Sequence, residues 1–275
     1  MIPEDSILRT LPGVVSAEER WRLEALVVAL DQIDVAHTSL CEILLRYGKP
    51  AGGLTRPDQA AIFLCAWSIV DRVYAIGAVL SWAKTAGLLI DIASFERCSE
   101  AARFLRNKMD HFDGNAKNLA SQKKVIYPPF GVISYFIMDD SDLREGPMGR
   151  EITGGMTVTV YAGSIYGEAE MPMANPLGDL VDYPLSHIFL SAYSHRFDIS
   201  QTVRILRSLA VELSATVEVA LHSKLSAIAA RTGQTMAALK GGPISGIVAT
   251  AVLTVSDETI ASRDLPEAPA ARRGE

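Results

Sequence analysis

From residue 16 to residue 44 the chain repeats at alternating intervals of three and four. Leu23, Leu26, Leu30, Ile33, His37, Leu40 and Leu44 fall on one stripe, with polar residues between them. That spacing keeps one face of a helix continuously directed at a core. Ser16-Ala-Glu-Glu19 precedes the stripe with capping-box spacing, in which hydroxyl and carboxylate satisfy each other's orphan N–H groups. Gly48 and Pro50 supply the stop. A second helix is predicted from about Thr55, where Pro57 is tolerated in the first turn, to about Gly87. A third is predicted from about Ser94 to Leu119. Its seam would be Phe95, Cys98, Ala102, Leu105, Met109, Phe112, Ala116 and Leu119. Sequential helices with a shared period predict antiparallel bundle packing.

The pattern changes at Tyr127-Pro-Pro-Phe-Gly131. Val132–Met138 is rich in β-branched and aromatic residues. Met156–Tyr161 alternates with period two, as a half-buried strand does. His187–Phe197 alternates as well, with Ile188, Leu190 and Ala192 on one side. An acidic turn, Asp139–Glu145, and a proline-marked loop, Met171–Pro184, separate these runs, so three or four antiparallel strands are expected. Asp198-Ile-Ser-Gln201 then repeats the capping pattern. A helix follows to about Arg231, with Leu206, Leu209, Leu213, Val217, Leu221 and Ile228 as its core candidates. Past Gly241-Gly242-Pro243, the apolar run 244–255 fits strand or helix equally. Residues from about Ser262 are expected to be disordered.

The fold class predicted is therefore mainly α and α+β overall. It is a bundle of long antiparallel helices with a small antiparallel β-sheet inserted before the last long helix. Residues 14–120 would hold the first three helices, 125–197 the β-insertion, 198–232 the last helix and 233–275 a tail.

Composition narrows the class. At 275 residues, 49% hydrophobic and 21% charged, the chain can bury a substantial core. A net charge of −6 argues against a broad electrostatic surface for nucleic acid, while leaving room for a local basic cleft. Cys41, Cys65 and Cys98 are odd in number, far apart and without a CxxC pair. That fits reduced, packed thiols better than a disulfide framework or a zinc site. Residues 1–20 carry several acids and no apolar leader core. The stretch from Ala60 to Ile92 is interrupted by Asp71, Arg72 and Lys84, which favours a buried bundle helix over a membrane span. A cytoplasmic protein is expected, with no membrane partner, no cofactor and no metal.

One constellation carries chemistry. The third predicted helix contains Arg106-Asn-Lys-Met-Asp-His111. Arg103, Asn107 and His111 are spaced by four and lie on the side away from Leu105 and its seam, with the long Arg106 side chain able to bend toward them. An imidazole can move protons at neutral pH, and a guanidinium can grip a phosphate with two parallel N–H groups.

This run resembles the R-x4-6-H signature of the HEPN superfamily, including the polar residue directly after the arginine, here Asn107. A tryptophan- and aspartate-bearing helix before it (Trp67, Asp71) and a long helix after it extend the similarity over roughly 55–120 and 199–231. The resemblance implies an α-helical bundle, usually dimeric, that cleaves RNA without a metal ion. Arg106 would stabilise charge at phosphorus, His111 would transfer protons, and Asn107 would orient the ring or donate to phosphate. Arg103 and Lys108 would add RNA or nucleotide contacts. The expected partners are a second copy in a homodimer, RNA or nucleotide and, for a toxin or defence effector, an antitoxin. Two other readings stand beside this one. The first is a non-catalytic HEPN-like module that binds nucleotide, RNA or a protein. The second is a structural bundle that interacts through its β-insert.

The other polar candidates read more plainly. His37 lies on the seam of the first helix, as a packed core histidine. Asp71 and Arg72 sit in an apolar helix, where they are expected first of all to satisfy each other's neighbours; in a lesser reading one of them lines a cleft beside the third helix. Asp139-Asp-Ser-Asp142 lacks the glycine and distal glutamate of a calcium loop. His187 and His195, eight apart, could share one face of a strand.

Overall fold

The computed structural model describes residues 1–47, 53–85, 91–114, 128–138, 143–146, 149–152, 154–163, 184–235 and 239. Four long helices dominate: α1 (Ala17–Arg46), α2 (Arg56–Thr85), α3 (Ala93–Asp110) and α4 (Ile199–Thr232). Between α3 and α4 come β1 (Val132–Ile137), β2 (Leu143–Gly146), β3 (Gly149–Ile152), β4 (Met156–Tyr161), β5 (Leu185–Ala192) and β6 (His195–Asp198). The chain divides into two compact units, Met1–Pro243 and Ile244–Glu275. The run 244–255 and the tail beyond it lie outside the described residues.

Local chemistry sets the helix ends. Ser16 caps α1 with the full reciprocal box, Glu19 N–H donating to its Oγ and Ser16 N–H donating to the Glu19 carboxylate. The Asp198 carboxylate caps α4 by accepting from Gln201 N–H at 2.8 Å. Gly233, in the left-handed region at φ 71°, ends that helix. The seven stripe positions of α1 are all buried, His37 among them. On α4, Leu206, Leu209, Leu213, Val217 and Leu221 are buried, while Ile228 is only partly covered and Leu225 is buried.

Ion pairs and ring contacts show how the helices run. Arg46 meets Asp58 and the Arg22 guanidinium lies over Trp82, so α1 and α2 are antiparallel. Lys84 meets Glu96 at the C-terminal end of α2, and Asp71 meets Arg106 midway along it, so α3 runs back along α2. Asp34 with Arg207 and Glu19 with Lys224 set α4 antiparallel to α1. The first fifteen residues, without a long element of their own, add Ile2, Leu8, Leu11 and Val15 to the same core.

The sheet has the order β4-β1-β5-β6, every pair antiparallel, and β2 and β3 form a separate hairpin. Its inner face, including Ile133, Tyr135, Ile188, Leu190, Ala192 and Phe197, joins the helical core. Tyr135 O–H donates to the Leu44 carbonyl at 3.1 Å, tying the sheet to the last turn of α1.

The structure departs from the periodicity in three places. The helix expected to reach Leu119 ends at Asp110, with His111 in a non-helical C-cap at φ −106°, ψ 31°. Residues 112–114 are helical again, and 115–120 lie outside the described residues. The break changes the phase of the turn, so Phe112 is 42% exposed instead of lying in the seam. Part of the expected acidic turn, Leu143–Gly146, is strand β2. His187–Phe197 is two strands, not one, joined at Tyr193-Ser194. Both residues have positive φ, 51° and 64°, as a two-residue type I′ hairpin turn requires.

Candidate functional site

The C-terminal half of α3 places Arg103, Asn107 and His111 together on an exposed face. Their spacing of four brings them round to nearly the same side, while Leu105 and Ala102 point into the core. His111 closes the helix as its C-cap. Lys108 is half-buried, its ammonium 5.3 Å from the Phe104 ring centre. Phe104 in turn stacks on His195, so Lys108 reaches along α3 toward the hairpin side.

Arg106 is not free to sweep across that face. Its Nε lies 2.8 Å from Asp71 Oδ1 on α2, and its Nη1 contacts the Asp110 carboxylate one turn on. The guanidinium is therefore braced on two sides. The pair with Asp110 is the ordinary i,i+4 bridge of a solvated helix. The pair with Asp71 is tertiary, and it gives that buried-helix acid its place beside α3.

Asp71 has a neighbour one turn earlier on the same face of α2. Trp67 Nε1–H donates to the Phe130 carbonyl at 3.0 Å. Because α3 runs antiparallel to α2, Trp67 lies level with the end of α3 and with His111. Phe130 faces Phe112 there, ring centres 6.5 Å apart and planes inclined by 23°. These two are the exposed members of a set of eight phenylalanines, at 48% and 42%. Sequence periodicity hid this pair: Phe112 carried the seam spacing, and nothing in the Pro-Pro-Phe-Gly run points to an aromatic contact across α2.

Upstream on α3, Arg103 borders an open cavity of about 490 Å³ between α2 and α3. Val73, Gly77 and Phe95 form apolar wall, and Glu96 and Glu100 line it with the arginine.

A second polar cluster lies on the outer face of the sheet. The ladder between β1 and β5 shifts register between Ser134 and Phe136, and His187 at that bulge has φ 52°. Ser200 Oγ accepts from Ile188 N–H at 3.0 Å and fastens the bulge. The turned-out His187 ring lies parallel to Phe189, centres 6.3 Å apart. Its Nε2 is buried without a hydrogen-bond partner, as are Ser134 Oγ and Ser191 Oγ. Arg196 lies 3.6 Å over Phe189. Burial pushes the Asp198 carboxyl up, against the lowering pull of Gln201 N–H, His187 and Arg196. His187 and His195 do not share a face: His195 stacks on Phe104 of α3 on the inner side. The two-residue turn at Tyr193-Ser194 reverses the phase between them, because His195 lies opposite Ala192 and shares its face. Among the described residues no group of three or more His, Cys, Asp or Glu side chains is placed to hold a metal.

No family model, curated protein or solved structure matches the chain. The reading of its function rests on the geometry above and on the motif.

The remaining sequence features fall outside this site. None of the three cysteines is in a disulfide, and burial raises the thiols of Cys65 and Cys98. The α2 helix is long and apolar enough to cross a membrane by length and composition alone. Ile62, Ala66, Ile69, Val70 and Val73 are nevertheless spent on the shared core.

Proposed function

We propose that this protein is a HEPN-like ribonuclease that works as a homodimer, with α3 supplying the reacting groups from each copy. One observation carries the reading. Arg103, Asn107 and His111 are exposed together at the end of α3, beside an Arg106 held in place by Asp71 and Asp110. Position is what general acid–base catalysis requires first, and a braced guanidinium is better preorganised than a mobile one. In the reaction, a ribose 2′-hydroxyl gives up its proton and attacks the adjacent phosphorus. The P–O5′ bond breaks as the 5′-oxygen takes a proton, leaving a 2′,3′-cyclic phosphate and a free 5′-hydroxyl. His111 of one copy serves as base and that of the other as acid. Arg106 offers its guanidinium N–H groups to the charge growing on the phosphoryl oxygens. The role in the cell would be that of a toxin or defence effector, restrained by an antitoxin.

A second reading, a HEPN-like module that binds RNA or nucleotide without cleaving it, is favoured by the same two carboxylates. They offset the one charge the phosphate needs most. The test is cleavage of total cellular RNA in EDTA by wild type and by His111→Ala, with circular dichroism on both. Cleavage lost only in the variant, at unchanged helicity, supports the enzyme. Equal cleavage by both overturns it. Uncut RNA bound by wild type and released by Arg106→Ala selects the binding module.

A further inference from the structure

Phe112 and Phe130 meet at the surface, each more than two-fifths exposed. Five of the other six phenylalanines are buried, and Phe104 is half-covered against His195. The exposed pair is nonetheless held firmly. Trp67 Nε1–H grips the Phe130 carbonyl, and Gly131 just after it adopts φ 84° to turn the chain into β1. Phe112 follows His111 directly, after the break that ends α3. Trp67 and Asp71, one turn apart on α2, thus brace the aromatic pair and Arg106 respectively, about 6 Å from each other along the helix. Two exposed aromatic rings therefore stand next to the proposed phosphate-handling face.

We infer that Phe112 and Phe130 form a stacking platform for an unpaired base of the RNA strand whose backbone lies along α3. Resting on the proposed RNA-binding role of α3, this names the substrate class as single-stranded RNA. Every base has a π-face, so such a platform tolerates any sequence, but it requires the base to be splayed out of a helix. It also resolves a difficulty of charge. A protein of net charge −6, with Asp71 and Asp110 on its arginine and Asp113 two residues past His111, cannot rely on electrostatic attraction to the backbone. Stacking supplies affinity that charge does not.

The experiment uses the full chain carrying His111→Ala, so that RNA stays intact, and a short single-stranded RNA containing 2-aminopurine. A blunt duplex of the same sequence is the comparison. Fluorescence of the probe base reports stacking, and titration gives the dissociation constant. The expected result is quenching by the protein, with weaker binding of the duplex. Phe112→Ala or Phe130→Ala should lower single-strand affinity about tenfold or more, and Trp at either position should restore it. Single-strand affinity within twofold of the parent in both alanine variants, while Arg106→Ala weakens it, overturns the platform and leaves the RNA-binding role standing. No binding by the parent overturns both. A dimer that falls apart in the alanine variants, with single-strand affinity unchanged, assigns the rings to a second copy of the chain and also overturns the platform.

Discussion

The Asp71 carboxylate on α2 and the Arg106 guanidinium on α3 meet at 2.8 Å, the contact that joins a buried-helix acid to the motif arginine. Both side chains are open to water, at 44% and 33% exposure, so solvent screens the attraction. Its worth to the fold is at most about 1 kcal/mol. Its worth to a reaction is positional, since a guanidinium misplaced by 1 Å can cost about a hundredfold in rate. Asp71→Asn is therefore expected to shift urea denaturation by no more than about 1 kcal/mol while lowering RNA cleavage about tenfold or more. Faster cleavage by the variant would show that Asp71 restrains the arginine by charge and does not brace it.

Gly131 connects the exposed aromatic pair to the sheet, and its backbone leaves no alternative residue. At φ 84° an L side chain is strained, and a Cβ there would overlap the Ser191 carbonyl and come within 2.8 Å of Ala192 Cβ. The obstacle is the neighbouring strand, not a side-chain tip that can swing away. Gly131→Ala is expected to cost at least about 2 kcal/mol in chemical denaturation. Gly13→Ala, where a Cβ meets nothing within 4 Å, is the control and should change stability by less than about 0.5 kcal/mol. Equal stability of the two variants would refute the assigned geometry.

Tyr135 is fully buried, and desolvation pushes its hydroxyl up to about 12. In the unfolded chain the same group titrates near 10. The folded state therefore holds the proton through a window in which the unfolded state has lost it. Its contribution to stability is complete below pH 10 and is lost as pH rises from 10 through 12. Tyr135→Phe should remove that alkaline loss. At neutral pH it should cost about 0.5–1.5 kcal/mol, because the Leu44 carbonyl at the end of α1 loses one of its two donors and keeps Tyr47 N–H. Parallel stability curves for wild type and variant across pH 9–11 would contradict the burial of this hydroxyl.

What could be read from residues alone was whatever depends on near neighbours. The α1 stripe, the Ser16–Glu19 box and the period-two strand Met156–Tyr161 need only local spacing, and the structure contains all three. The spacing of Arg106 and Asp110 is just as local, whereas the pair of Arg106 with Asp71 joins two helices and no spacing along the chain announces it. The misses share a cause: the backbone changes phase without the residue types that announce it. His187, Tyr193 and Ser194 take positive φ where glycine or asparagine would be expected, so a bulge and a hairpin read as one continuous strand. The end of α3 at His111 has no glycine or proline either, and the heptad-like count ran on through Phe112 into an assignment the fold reverses. Contacts over long separations, such as Trp67 with Phe130, leave no periodic trace at all.

Asp198 tests the polar face of the sheet without touching the motif. Its carboxylate caps α4 through Gln201 N–H, yet burial raises its titration above the ordinary value of 3.8. The raised value means that the folded state binds a proton more tightly than the unfolded one. Relative to an uncharged residue, Asp198 is therefore least costly at pH below 3.8. It becomes progressively destabilising as pH rises from there through its folded value, and the full cost persists at neutral pH. Asn keeps the acceptor that the cap needs and removes the charge, whereas Ala removes both. Asp198→Asn should match or exceed wild-type stability at pH 7, and its advantage should shrink as the pH is lowered toward 4. Asp198→Ala should lose about 1 kcal/mol of that gain through the missing cap. Thermal denaturation of the three proteins at pH 4 and pH 7 decides the matter. An Asn variant less stable than wild type at pH 7 would mean that His187 and Arg196 stabilise the ionised carboxylate by more than burial costs it.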